Sequence, residues 1–218
     1  MADANEAERA LQRDLVRRGY DAISHAYRDD AGRSDPEQPG EGTDPYAGWV
    51  AELAALLRPR ARILDLGCGA GVPATKLLAA RNFDVLGLDI SAVQIARARQ
   101  LVPGATFEQA DMATWEYEGP AFDAVVSFYA LIHVPLQDQL NLLPKIRRWL
   151  RREGYLLAVV GAERWTGTEE YFGSAMFWDH GDRASYLTWL AEAGLTPLWD
   201  RYVPEGSGGH TLVLARAT

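Results

Sequence analysis

A chain of 218 residues, 48% hydrophobic and 24% charged, has the apolar material for one domain with a sizeable core. Its net charge of −8 at pH 7 argues against a nucleic-acid footprint, since a phosphate backbone needs a basic surface. Its single cysteine, Cys68, excludes an internal disulfide, and no apolar run approaches the roughly 20 residues of a membrane span. With no apolar leader in MADANEAERALQRDLVRR, the expectation is a cytoplasmic protein without a membrane partner.

Residues 4–18 are rich in the helix formers Ala, Glu, Arg and Leu, with Ala10, Leu11, Leu15 and Val16 at rough helical spacing. Gly19 interrupts, and YDAISHAY at 20–27 resumes a helix on which Tyr20 and Tyr27, seven apart, share a face. That face either packs on the core or lies over a site as a lid. Residues 28–45 are acidic and rich in Pro and Gly, too polar to order themselves, and read as a solvated connection or a flap. Pro45 opens a helix to about Leu57 with Trp49, Val50, Leu53, Leu56 and Leu57 inward, and Pro59 ends it. The division is a helical lid and acidic loop over 1–45 and a main domain over 46–218.

From there strand and helix signals alternate, which implies a parallel sheet covered by helices. Strands are predicted near 62–66, 83–88, 105–109, 122–128, 154–160, 196–203 and 209–216, and helices near 71–80, 91–100, 136–151 and 182–193. Ser91 and Gln94 read as a capping box, and Gly194 as a helix stop. Pro144 predicts a kink or a delayed start in its helix. Arg147, Arg148, Arg151 and Arg152 suit that helix's negative end and need no ligand to explain them.

Residues 61–71, ARILDLGCGAG, join an apolar strand to Gly67, Gly69 and Gly71 and then to a helix start. Such a turn brings backbone close to a ligand and presents unpaired N–H groups to it. The glycine spacing alone admits a dinucleotide, but Asp65 would repel a pyrophosphate and suits a ligand with a cationic end. Val72 also stands where a G-x-G-x-x-G fingerprint has its last glycine. Asp89 closes the second predicted strand, 18 residues after Gly71, where a carboxylate can accept hydrogen bonds from two ribose hydroxyls; the alternative is a turn or helix-capping aspartate beside Ser91.

DLGCGAG at 65–71, followed by LGLDIS at 86–91, EQADM at 108–112 and FDAVVSFYALIHVP at 122–135, resembles the class I S-adenosylmethionine-dependent methyltransferases, closely over 46–160 and more loosely beyond. The resemblance implies an α/β fold. This is a Rossmann-like three-layer sandwich with a seven-stranded, mostly parallel sheet, a C-terminal antiparallel hairpin and an N-terminal helical lid. It implies S-adenosyl-L-methionine as cofactor and a small-molecule methyl acceptor, methylated on O or N. The chain is expected as a monomer or homodimer without nucleic acid.

Carried onto these positions, the resemblance puts Asp65, Gly67, Cys68, Gly69 and Gly71 around the cofactor, with Asp89 on its ribose and Ile90 beside the adenine. Asp111 meets the adenine amine and Met112 packs on the ring. Ser127, Phe128 and Tyr129 flank the methionine portion, Tyr129 also on the acceptor side, and Tyr20 and Tyr27 of the lid touch the same end. His133 falls near the transferable methyl, as a base for the acceptor or as a structural histidine. Residues 162–182 crowd aromatics where the family covers its substrate. Trp165, Phe172, Trp178 and His180, with His210, are acceptor-side candidates, although core packing accounts for some. His133, His180 and His210 lack metal-site spacing, so no metal is expected.

The aromatic surroundings suggest an apolar or aromatic acceptor, such as a natural-product intermediate. Two rivals differ in class. One is a non-catalytic module that binds a nucleoside ligand. The other is a protein or nucleic-acid methyltransferase, disfavoured by the acidic charge and by SFYA at 127–130, where many base-modifying relatives carry Asn/Asp-Pro-Pro-Tyr.

Overall fold

The computed structural model describes residues 2–33 and 45–218. The bulk of the acidic loop predicted over 28–45 therefore lies outside the described residues. The apolar runs form the strands β1 (Arg62–Leu66), β2 (Asp84–Asp89), β3 (Thr106–Gln109), β4 (Phe122–Ser127) and β5 (Leu150–Gly161), then β6 (Trp165–Tyr171), β7 (Ser174–His180), β8 (Leu195–Glu205) and β9 (Gly208–Ala217). Seven of them make one sheet in the order β3-β2-β1-β4-β5-β9-β8. β1 to β5 pair in parallel, and β9 runs antiparallel between β5 and β8. The helices are α1 (Ala2–Tyr27), α2 (Tyr46–Ala54), α3 (Ala74–Ala79), α4 (Ala92–Leu101), α5 (Leu136–Trp149) and α6 (Arg183–Glu192).

Alternation along each strand sends side chains to opposite faces, and both faces are covered. Leu64, Leu66 and Val125 join Leu142, Ile146 and Trp149 of α5 and Leu190 of α6 in one core. Ile63, Val85 and Val126 join Trp49, Val50 and Leu53 of α2 and Leu78 of α3 in the other. α4 packs on β2 and β3 through Ile95, Ala98 and Phe107. The strand order reverses at β1 and β4, and the crevice beyond their carboxyl ends is where open α/β sheets take ligands.

The roof over that crevice departs from the sequence reading. α1 runs unbroken through Gly19, so this glycine does not interrupt the helix. Its bare Cα lets β7 approach: a Cβ there would stand 2.7 Å from Met176 Cε and 3.2 Å from the Ala175 carbonyl. The aromatic segment at 162–182 forms a separate two-stranded hairpin, β6–β7, and Phe177 on it is core filling, as expected for some of its aromatics. Val16 and Ile23 of α1 pack with Met176 and Phe177 of β7 in a small core of their own.

Smaller differences have local causes. α2 ends at Ala54, which leaves Leu56 exposed, and Leu11 of α1 is exposed too. α5 runs from Leu136 through Pro144 with no delayed start. Ser91 caps α4 by accepting the Gln94 N–H at 3.1 Å, but the Gln94 side chain turns away and accepts the Ser24 hydroxyl at 2.9 Å. The capping box is thus half a box, its other half recruited to hold α1. Arg151 and Arg152 fall in β5 rather than in α5, and Arg151 pairs with Asp123 at 2.8 Å.

Candidate active site

Beneath α1, and beyond the carboxyl ends of β1 to β4, lies a cavity of about 960 Å³, its open mouth included. Its floor is the β1–α3 turn. The N–H groups of Gly67 and Cys68 both donate to the Leu88 carbonyl, at 2.8 and 2.9 Å, which ties the turn to the end of β2. Gly67, at φ 74°, lies so close to the next loop that a Cβ would stand 2.1 Å from Ala130 Cβ. No other residue fits there without moving the β4 loop.

Asp89 accepts the Gly69 N–H on Oδ2 at 2.8 Å and the Ser91 N–H on Oδ1 at 2.9 Å. Each oxygen keeps a further lone-pair direction, so the carboxylate is held rigidly and still able to accept two ligand hydroxyls. Burial pushes it up to about 6, against the pull of those two N–H groups. Asp65, 1% exposed, accepts the Thr75 hydroxyl at 2.6 Å, and burial, with Asp89 nearby, pushes it up to about 7. A buried carboxylate with one hydroxyl partner is a site for a cationic group.

At the far end Asp111 accepts the Ala113 N–H at 2.9 Å. Its other oxygen lies 2.8 Å from Arg13 Nε of α1, out of line for a hydrogen bond, so this buried Nε has no hydrogen-bond partner. Arg13 also pairs with Glu6, at 2.9 Å, and with Asp138 of α5. Met112 and Ile90 complete this end of the lining.

His133 sits in a short turn, Leu131–His133, just past β4. Its Nδ1 is 2.8 Å from the Phe177 carbonyl, which only accepts, so Nδ1 carries the proton. Nε2 therefore accepts, and its partner is the Tyr20 hydroxyl at 3.0 Å. Burial pushes the imidazole down to about 4, so it is neutral at neutral pH. Tyr20 and Tyr27 meet edge to face at 5.6 Å, as their shared helix face predicts, and both line the cavity with Phe128 and Tyr129.

Residues 63–154 match a family described as a methyltransferase domain. The 27-O-demethylrifamycin SV methyltransferase of Amycolatopsis mediterranei is 31% identical over 159 residues, covering 65% of this chain and 56% of that one. A trans-aconitate 2-methyltransferase of Methylobacterium nodulans is 40% identical over 118 residues, 53% of this chain and 43% of that one. The chain thus spans about half the length of the curated relatives it matches. The magnesium protoporphyrin IX methyltransferase of Synechocystis PCC 6803, solved with bound S-adenosylhomocysteine, shares the fold, with a TM-score of 0.72 at 18% identity over 95% of this chain and 100% of that one.

Residues 63–154 thus match a methyltransferase domain, on the fold shared by S-adenosylmethionine-dependent methyltransferases. The donor set suits the methyltransferase cofactor: a two-hydroxyl acceptor at Asp89, a carboxylate for a cationic end at Asp65, and apolar Ile90 and Met112 beside Asp111. Of the cofactor residues expected from the sequence, Asp65, Gly67, Cys68 and Gly69 all line the cavity, as do Asp89, Ile90, Asp111 and Met112. Gly71 and Ser127 do not. Gly71 packs toward Val102 and Phe107 behind the turn. Ser127 is fully buried, with its hydroxyl donated to the Leu66 carbonyl at 2.9 Å. It shares the face of Val125, under α5, while Val126 and Phe128 take the other.

Of the acceptor-side residues, Tyr129 alone lines the cavity among the described residues. Phe172 packs on Tyr27, Trp178 on His133 at 5.1 Å, and His210 edge-on to Tyr129 at 5.3 Å, each one layer out. His180 is held by the Glu163 carbonyl at 2.7 Å, and Trp165 is 45% exposed on β6. Arg13, Arg28 and Tyr46 are among the lining residues that escaped the sequence reading. Arg28 directly follows Tyr27, but nothing in its local sequence says that it turns inward while Asp29 and Asp30 turn out.

Proposed function

We propose that this protein transfers the methyl group of S-adenosylmethionine to oxygen or nitrogen of a small molecule. The observation that carries the reading is Asp89, pinned by two backbone N–H groups at the rim of the glycine turn with acceptor capacity to spare. The bound cofactor supplies an electrophilic methyl on sulfur, so the chain's own task is alignment and exclusion of water. Asp89 and the turn fix the adenosyl half, Asp65 favours the cationic end, and α1 with the β6–β7 hairpin closes the space above.

The acceptor enters on the side of Tyr20, Tyr27 and Tyr129, whose rings favour an apolar or aromatic body. Its position under a roof supports a small molecule, and the net charge of −8 speaks against nucleic acid. His133 is neutral at working pH and reaches Tyr20 through Nε2. A proton leaving the acceptor passes to the Tyr20 oxygen as the Tyr20 proton moves to Nε2.

Calorimetric titration of S-adenosylhomocysteine and of NADH into the wild type and Asp89→Ala tests the cofactor. The expected result is adduct binding that weakens in the variant, with no heat from NADH. Binding of NADH alone overturns the reading. Adduct binding without methyl turnover on any acceptor moves it to a non-catalytic nucleoside-binding module.

A further inference from the structure

An acid stands outside the lining on the acceptor side of the cavity. Glu205 ends β8, paired with Gly208 of β9, and its side chain is 58% exposed. Its Oε2 lies 2.9 Å from His210 Nδ1 but out of line, so the carboxylate has no hydrogen-bond partner among the described residues. His210 packs edge to face on Tyr129, with 5.3 Å between ring centres, which brings Glu205 up to the cavity wall. Tyr129 holds φ 59°, a left-handed backbone that is costly for a tyrosine, with its ring set among Tyr46, Trp49 and His210. Tyr171 reaches the same rim from the end of β6, 5.8 Å from Tyr27.

The hydroxyls of Tyr129 and Tyr171 make no hydrogen bond among the described residues. Burial pushes both well above the ordinary phenol range, and Glu205 pushes them further than Arg28 pulls them back. They are neutral, and the field they feel is that of the acid. Arg28 lies instead against Tyr27 and Tyr46, 5.2 and 5.4 Å from their ring centres.

We infer that this rim binds an ammonium group of the methyl acceptor, with Glu205 as its counter-ion and Tyr129 and Tyr171 completing its shell. An ammonium only donates, and a carboxylate and two phenol oxygens are groups that accept. The aromatic rings attract a cation as well. Arg28 in the lining keeps that charge at the rim and out of the cavity. A protonated amine has no lone pair with which to attack a methyl group, so the ammonium is an anchor. The atom methylated is another one, on the body of the acceptor that reaches Tyr20 and His133.

The inference rests on the methyltransferase reading and adds to it the charge of the acceptor. The test is calorimetry on protein saturated with S-adenosylhomocysteine. Its three probes share one body: tyramine, 4-ethylphenol and 3-(4-hydroxyphenyl)propionate carry an ammonium, no charge and a carboxylate on the tail. Wild type is expected to bind tyramine roughly five- to tenfold more tightly than ethylphenol, with the acid weakest. Glu205→Gln, checked for an unchanged melting temperature, abolishes that preference, and Glu205→Lys turns it toward the acid. Equal binding of tyramine and ethylphenol by wild type, a tyramine preference that survives Glu205→Gln, or no binding of any probe overturns the inference. Failure of the adduct itself to bind, seen before any probe is added, overturns the methyltransferase reading, and the inference with it.

Discussion

The floor of the cavity and its roof differ in how they are held. The floor hangs from a sheet whose central side chains, Ile63, Leu64, Leu66 and Val125 among them, are fully buried, and its turn is tied down by backbone N–H groups to the Leu88 carbonyl and Asp89 and by the Thr75 hydroxyl to Asp65. The roof has only the small core of Val16, Ile23, Met176 and Phe177. Otherwise it is pinned by charge and hydroxyl. Arg9 and Arg13 reach Asp138 on α5, Ser91 donates to Asp21 at 2.6 Å, and Arg97 holds Ser24 and Asp30. A region held by few apolar contacts opens at lower free energy than the body it covers. We expect the floor to be the rigid part and the roof the part that opens for a ligand to enter and leave.

The largest expected effect tests the floor. Asp89→Ala removes acceptors for two hydroxyls, and S-adenosylhomocysteine affinity is expected to fall about a hundredfold by calorimetry, at charged hydrogen-bond strength. An effect below a few-fold would take the ribose away from Asp89. Gly67→Ala, at φ 74° and against Ala130, should lower stability by ~2–4 kcal/mol, read from urea unfolding. A neutral result would mean that the β4 loop yields freely and the floor is softer than described.

The relay joins floor to roof. Tyr20→Phe and His133→Gln should each lower kcat by about ten- to a hundredfold, the modest end of acid–base catalysis for so weak a base, and by similar amounts in the double variant. A rise in acceptor KM with kcat intact would make the pair a positioning device only. Gly19→Val attacks the roof alone: overpacking against Met176 should lift α1 from the hairpin at ~1–3 kcal/mol, speeding limited proteolysis of α1 and adduct dissociation with little change in melting temperature.

The last effect is one of pH. Asp65 at about 7 and Asp89 at about 6 both lie above the ordinary value of 3.8, so the unfolded chain ionises first as pH rises. Their contribution makes the ligand-free protein less stable from about pH 4 toward 7, and the loss levels off above. A ligand with an ammonium end selects the ionised carboxylates. Adduct affinity should therefore rise from about pH 5.5 to 7.5 with proton release, seen as different binding heats in two buffers of unlike ionisation enthalpy.

By itself the sequence determined the sheet and the cavity floor. Asp65, the glycine turn, Asp89, Asp111 and Met112 sit at strand ends, where each strand–turn–helix unit places its own residues, although the Asp89–Gly69 contact that joins two such units spans 20 positions. The face of Tyr20 and Tyr27 was readable for the same reason, since helical period alone sets it. Tertiary structure alone decided the rest. Whether Ser127 or Phe128 faces the cavity depends on the register of β4 against β1, and one step flips every side chain. The tie of Tyr20 to His133 spans 113 positions and that of Arg9 to Asp138 spans 129, and no local pattern encodes pairs at such separation. Gly19 reads locally as a helix breaker and acts as a crossing point, because its meaning belongs to the strand that packs on it. Arg28 is the sharpest case: Arg28, Asp29, Asp30 and, past Ala31 and Gly32, Arg33 look like solvated loop, and only packing turns one guanidinium inward while Arg33 and Arg97 take its acids.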